Sequence, residues 1–433
     1  MVASAARSWS LLSLLLVACV GQASPRSAPP AVEPSAPQAT LPARDAELAW
    51  EELKRALPGS WRATFDGNRT INISYKLISR GSALMETFTT ASGTETLTVY
   101  HRDGDALMLT HYCAQGNQVR LRATQASRER IVFEFLDATN EQADQGVMQS
   151  LIVRLQPDGF DQESVYREAG KLDPMTLHFT PVPPAVGETA MIDAELSVRA
   201  ISADTYVVTH APFFAANILV ARMPDGTVVL GSSPYETQAA RALVRWVKRT
   251  LAPTRIVAIN THFHFDGTGG NEAYREAGVI TYASEHTQQL VLQRNPALKQ
   301  EWAKDFKDPE QRRRVEAMKV VPAEKTFPER DGLALTFGGE AVRVIYPGPG
   351  HAPDNVLVYL PSRGVLFGGC MIKASPSIGF LGHADLSRWE PAVEVARGLG
   401  ARIVIPGHGE VGGPELFDLT ISLVRDAKAK QPK

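Results

Sequence analysis

Cysteine is scarce in this chain. Cys19, Cys113 and Cys370 are the only three in 433 residues, too few for a disulfide scaffold to carry the fold. Neither charge is in excess: 45 Lys plus Arg against 47 Asp plus Glu leave a net charge of −2. That balance gives no electrostatic case for a nucleic-acid partner. The run Arg312-Arg313-Arg314 then reads as a solvated helix face. Near the start, the apolar run Leu11-Leu12-Ser13-Leu14-Leu15-Leu16 falls short of the roughly 20 residues that a membrane-spanning helix needs. Because it follows Arg7, it reads as the core of a signal peptide over residues 1–18.

Leu16-Val17-Ala18-Cys19 resembles a bacterial lipobox. Cleavage before Cys19 and acylation of that residue would tether the mature protein to a membrane, several acyl chains on one residue meeting the need for more than one anchor. Plain secretion with cleavage after Ala23 is the alternative. The expected address is the bacterial periplasm, on the outer membrane, as a lipoprotein and a monomer. Residues 19–43 are dominated by Pro, Ala and Ser, a semi-extended linker that would hold a folded body off the membrane.

A second domain is expected over residues 44–182, since 433 residues exceed one core. It opens with an amphipathic stretch carrying Leu48, Trp50, Leu53 and Leu57. Short β-rich runs then alternate with turn signals such as Asp66-Gly67-Asn68, Arg102-Asp103-Gly104 and Pro157-Asp158-Gly159. This spacing predicts an antiparallel meander or barrel. Gly59-Ser60-Trp61 followed by Leu109-Thr110-His111-Tyr112-Cys113 resembles lipocalin-like domains of unknown function. Nothing here assembles a catalytic set, and His101, His111 and His178 read as packing or surface residues. Pro181-Val182-Pro183-Pro184 marks the boundary with a domain over residues 186–433.

The chemistry gathers in that second half. His262-Phe263-His264-Phe265-Asp266 offers two imidazoles and a carboxylate within five residues. Cys370, in Leu366-Phe367-Gly368-Gly369-Cys370, adds a thiolate, and this donor mix suits zinc. His351 and His408 stand in similar surroundings, Pro349-Gly350-His351 and Pro406-Gly407-His408-Gly409. A short apolar run precedes each position: 255–260, 342–346, 365–367 and 402–405. Four strands would thus deliver their candidate ligands at their carboxyl-side ends, along one edge of a sheet-based domain.

These motifs resemble the metallo-β-lactamases of subclass B1, most closely the São Paulo type. The matching stretches are Asn260–Gly270, Gly350–Asn355, Leu366–Lys373 and Pro406–Gly409. The resemblance covers a little over half the chain and implies an α+β protein: a four-layer αββα sandwich, here preceded by the lipocalin-like β domain. It implies two zinc ions per chain, one on His262, His264 and His351 and the other on Asp266, Cys370 and His408. Other branches of the superfamily fit less well. Gly267 stands where HxHxDH enzymes have their last histidine, and Cys370 where they bridge metals with aspartate. Subclass B2 lacks the first histidine and subclass B3 the cysteine.

The implied activity is zinc-dependent hydrolysis of the β-lactam amide of antibiotics. A three-histidine zinc leaves a position open for water and can lower its pKa to about 7. Attack by the resulting hydroxide would need no serine nucleophile. Asp266 would bind the second metal and orient the water, and Lys373 matches the lysine that pairs with the substrate carboxylate. With Cys370 on metal and Cys19 on lipid, Cys113 is expected to be a buried free thiol.

There are departures from the family pattern. In Ile378-Gly379-Phe380-Leu381-Gly382-His383, Phe380 replaces a common asparagine and His383 a common aspartate. Phenylalanine donates no hydrogen bond, so no oxyanion contact comes from that side chain. Ser232 stands where others often carry an acid, a hydroxyl in place of an outer carboxylate. Ala211-Pro212-Phe213-Phe214 is too short for a long substrate-covering hairpin, leaving Phe213 and Phe214 as candidate apolar contacts or, equally, core-packing residues, with Phe380 a further candidate contact. Between Ser284 and Val320 a charged stretch with Trp302 and Phe306 predicts an inserted helical pair near the site. The rival readings are a zinc hydrolase of the same fold acting on another ester, lactone or amide, and a lipoprotein whose barrel captures an apolar ligand.

Overall fold

The computed structural model describes residues 41–65, 69–89, 92–142 and 145–430. The expected signal peptide, Cys19 and most of the linker lie outside the described residues. From Gly59 to Val182 ten antiparallel strands follow one another and close on themselves, Ser60 pairing with Val182 and Trp61 with Pro181. The two expected forms, meander and barrel, thereby resolve to a closed barrel. Alternation drives it: in the strand Arg69–Ile78, Ile71, Ile73, Tyr75 and Leu77 are buried and the residues between them are exposed, the period-2 pattern of a sheet with one dry face.

Aromatic side chains fill the barrel. Trp61 meets Phe160 edge-on with centroids 4.9 Å apart, Phe160 stacks on Phe179 at 5.0 Å, and Tyr100 meets Phe133 at 5.7 Å. The helix Ala43–Ala56 adds Ala46, Ala49, Trp50 and Leu53 to the same core, with Leu48 on its exposed side. Buried among these groups, Glu86 accepts hydrogen bonds from Tyr100 (2.6 Å) and Thr98 (3.1 Å), and Thr98 lies 3.0 Å from His111 Nδ1. Cys113 is free but only half-buried. It follows the strand Ala106–Tyr112, in a turn where its N–H donates to Asn117 and its carbonyl accepts from Gly116, so it misses the interior expected for it.

The second half has two sheets. Eight strands from Thr189–Met191 to Lys325–Phe327 form one, in chain order. Five strands from Leu333–Phe337 to Ile403–Pro406 form the other. Three apolar cores define the layers. Leu243, Val247 and Trp246 of the helix Thr237–Leu251 pack on Val208, Val220 and Leu230 of the first sheet. Leu219, Val229 and Val257 meet Val342, Val358 and Phe367 between the sheets. Outside the second sheet, Leu366 and Val404 pack with Trp389 and Val393 of Leu386–Arg397 and Phe417 of Glu415–Ala429. The order is helix, sheet, sheet, helix. Arg249 joins barrel to sandwich: it donates to the Ala56 carbonyl (2.8 Å) and its guanidinium lies 4.4 Å from the Trp61 ring centroid.

Candidate metal centre

The strand Arg255–Ile259 is buried beyond its first residue and stops at Asn260. From there the chain turns through His262 and His264 into the short helix Phe265–Thr268. Asn260 and Asn271 pin this turn with a reciprocal amide pair (3.0 and 2.9 Å), and Asn260 also donates to the Gly267 carbonyl (2.8 Å). Gly267 is a steric necessity: a Cβ there would lie 2.4 Å from the His262 carbonyl oxygen and 3.0 Å from His262 Nδ1. The chain therefore has no room at 267 for the extra histidine of HxHxDH enzymes.

From the second sheet come His351, Cys370 directly after the strand Val365–Gly369, and His408 after Ile403–Pro406. Gly407 lets the last two strands meet closely, since a Cβ there would lie 2.6 Å from Cys370 N and 2.7 Å from Sγ. All six candidate ligands converge. Donor atoms of Asp266, Cys370 and His408 lie within 4.8 Å of one another, as do those of His262, His264 and Asp266 and those of His262, His351 and Cys370. His264 Nδ1 faces His351 Nε2 at 3.2 Å, and Cys370 Sγ stands 2.7 Å from Asp266 Oδ2 and 3.2 Å from His408 Nε2.

Burial polarises this cluster. Desolvation, with neighbouring positive groups adding to it, pushes His264 and His351 well below the ordinary imidazole range, so both are neutral and have a lone pair to give. Burial would also depress His262 and His408, but the negative charge of Asp266 and Cys370 outweighs it and raises both well above that range. Desolvation opposes ionisation of Asp266 and Cys370 in turn; His262 and His408 overcome it and hold both acids below their usual values. A cation would relieve several of these contacts: nitrogen against nitrogen at 3.2 Å, sulfur against carboxylate at 2.7 Å, and His262 Nε2, buried 3.4 Å from Asp266 Oδ1 and, among the described residues, without a hydrogen-bond partner. The donor set and its crowding fit metal.

The family described as "Metallo-beta-lactamase superfamily" matches residues 212–408. A type 2 metallo-β-lactamase of Pseudomonas aeruginosa is 32% identical over 224 residues, 49% of this chain and 79% of that protein. One from Bacteroides fragilis is 30% identical over 196 residues, 44% and 68% of the two chains. One from Bacillus cereus is 26% identical over 239 residues, 53% and 83%. Among solved structures, a metallo-β-lactamase from Pontibacter korlensis is 28% identical and covers 53% of this chain and 99% of its own, with a TM-score of 0.44.

The chain belongs to the metallo-β-lactamase superfamily. Metal binding and hydrolysis go with that membership, and the metal of this superfamily is typically zinc. Around the ligands, several outer contacts have no signal in the linear sequence. His383 Nδ1 lies 2.8 Å from His264 Nε2, the nitrogen turned away from His351, so the histidine that replaces a common aspartate still braces a candidate ligand. Ser232 and Thr261 hydroxyls are 2.6 Å apart and Thr261 Oγ1 is 3.3 Å from His262 Nδ1, so Ser232 is linked to that candidate ligand through Thr261.

The other predicted positions divide. Lys373 is nearly buried, with Nζ 5.3 Å from the Trp389 ring centroid and, among the described residues, no carboxylate pairing with it. Burial lowers its pKa, opposed by Cys370 and Asp266. Phe380 is 54% exposed with its ring 5.9 Å from that of His264. Phe214 is 61% exposed. Phe213 is half-buried and packs against Tyr235, Trp302 and Phe306 with centroids 5.2–5.5 Å away, the packing role that the sequence left open for it. Its φ is 64°, and the Phe214 ring lies on the same Trp302, stacked with centroids 6.3 Å apart. The inserted pair is present as the helices Glu285–Asp305 and Pro309–Ala317.

Proposed function

We propose that this protein hydrolyses the amide bond of β-lactam antibiotics in the manner of a subclass B1 metallo-β-lactamase of the São Paulo kind, with two zinc ions. The observation that carries this reading is the convergence of a Cys370–Asp266–His408 trio on three further histidines, with Gly267 closing off the HxHxDH alternative. His262, His264 and His351 would hold one zinc; Asp266, Cys370 and His408 would hold the other. Zinc held there would supply Lewis-acid polarisation of a carbonyl and make water nucleophilic near neutral pH.

The chain's own groups do the rest. Asp266, kept ionised by two imidazoles despite its burial, is available to orient the attacking water. Lys373, a nearly buried ammonium that pairs with no carboxylate among the described residues, is suited to receive the carboxylate that β-lactams carry. Phe214 and Phe380 offer apolar surface to the groups flanking the lactam ring. The barrel is filled by its own aromatic side chains, which does not favour the reading as a binding lipoprotein. Hydrolysis of a chromogenic cephalosporin, measured as purified, after chelation and after zinc is restored, tests the proposal. Turnover that disappears with chelation and returns with zinc is expected; folded, zinc-loaded protein without turnover would sink it. We also propose the lipid-anchored periplasmic address, for which Cys19→Ala should move the protein from the membrane to the soluble fraction.

A further inference from the structure

Glu195, His210 and Glu236 bring donor atoms within 4.8 Å of one another outside the centre described above. Their cation is already present. Arg314, on the inserted helix Pro309–Ala317, donates to both Glu195 oxygens (2.7 and 2.6 Å) and to both Glu236 oxygens, one of them at 2.9 Å. A guanidinium fork with two carboxylates is a directional, strongly held contact. Its plane also lies over Phe213, with Cζ 5.5 Å from the ring centroid.

Phe213 and Ala215 both hold left-handed backbone, φ 64° and 41°, which residues other than glycine keep only where their surroundings enforce it. Between them sits Phe214, whose carbonyl accepts the Nδ1–H of His408 at 2.7 Å. That bond leaves His408 Nε2 directed at Cys370 and Asp266. The outer nitrogen's partner sets which ring nitrogen is free to bind metal, and in what direction.

We propose that Arg314 is a positioning residue for the second metal: by tying the inserted helix to Glu195 and Glu236 it fixes the Phe213–Ala215 turn, whose Phe214 carbonyl aims His408. The inference rests on the two-metal reading above. In this view the inserted helical pair acts on the metal centre from behind, through a backbone oxygen.

The test is cobalt titration of the full chain, reading the second equivalent through the Cys370 thiolate-to-cobalt charge-transfer band, with circular dichroism as the check on folding. Arg314→Met keeps the stem and removes the fork. It should weaken the second site about tenfold, the lower end for loss of an outer-shell partner, with the first equivalent bound as in the parent. Arg314→Lys should fall between the two. Arg313→Ala, an exposed change on the same helix, should match the parent. If Arg314→Met fails to fold, Glu195→Gln weakens the same clamp with almost no change of shape. Parent-like second-site affinity in a folded clamp variant would overturn the inference, as would equal weakening of both sites, the mark of a merely structural role. A parent without any thiolate-to-cobalt band would overturn the two-metal reading itself and the inference with it.

Discussion

Adding one methyl group at Gly267 should damage the metal centre without replacing any candidate ligand. The new Cβ in Gly267→Ala would lie 2.4 Å from the His262 carbonyl oxygen, about 0.6 Å inside the 3.0 Å below which real Cβ atoms essentially do not approach. Both sides of the clash are main chain, so no rotamer change relieves it. Asn260 resists movement of residue 267 through its bond to the Gly267 carbonyl, which leaves residue 262 to give way. Overpacking of this kind costs about 1–3 kcal/mol of stability, and displacement of a ligand's support typically costs ten- to a hundredfold in metal affinity. Zinc titration with a competing chelator, paired with urea unfolding of the apo protein, separates the two costs. A variant with parent zinc affinity and parent stability would show that the turn is soft, and the steric explanation for the missing histidine would fail.

Cys370→Ser should lose the second zinc and most turnover together, because an alcohol is a poor anionic ligand near neutral pH; metal analysis beside a cephalosporin assay decides it, and unchanged values would contradict the ligand assignment. Lys373→Ala should raise KM for carboxylate-bearing substrates about ten- to a hundredfold, matching roughly 1.5–3 kcal/mol for a charge-assisted hydrogen bond, with zinc content intact and kcat much less affected. Acid should weaken the barrel through His111, which burial pushes down to about 4 from 6.5. The unfolded chain takes up that proton first, so the stability due to neutral His111 is complete above pH 6.5 and drains away towards pH 4. Its ceiling is about 3 kcal/mol, and His111→Asn should flatten the urea midpoint against pH over that window, an unchanged slope speaking against it.

The candidate ligands that the fold brings together were legible because metal chemistry restricts residue types severely and because each follows a short apolar run. Their supports were not. Arg314 meets Glu195 across 119 positions, and His383 meets His264 across the same separation; nothing local marks such pairs. Turn signals located the strands of the first domain, but closure into a barrel depends on the pairing of its first and last strands, a contact without a local signature. Phe213 and Phe214 are identical neighbours, and nothing in the sequence tells the half-buried ring from the exposed one.

One consequence of the layering concerns the lifetime of the protein. Each of the two ligand sets proposed above would draw on both sheets: His262, His264 and Asp266 follow a strand of the first, while His351 lies between two strands of the second and Cys370 and His408 follow strands of it. Metal bound in that way would cross-link the two halves of the sandwich. Ions that bind only the folded form raise the free energy of opening, so zinc supply would govern how fast proteases clear the chain. Scarcity of the metal would then remove the enzyme as well as silence it, and the half-life under limiting protease should lengthen in step with zinc occupancy.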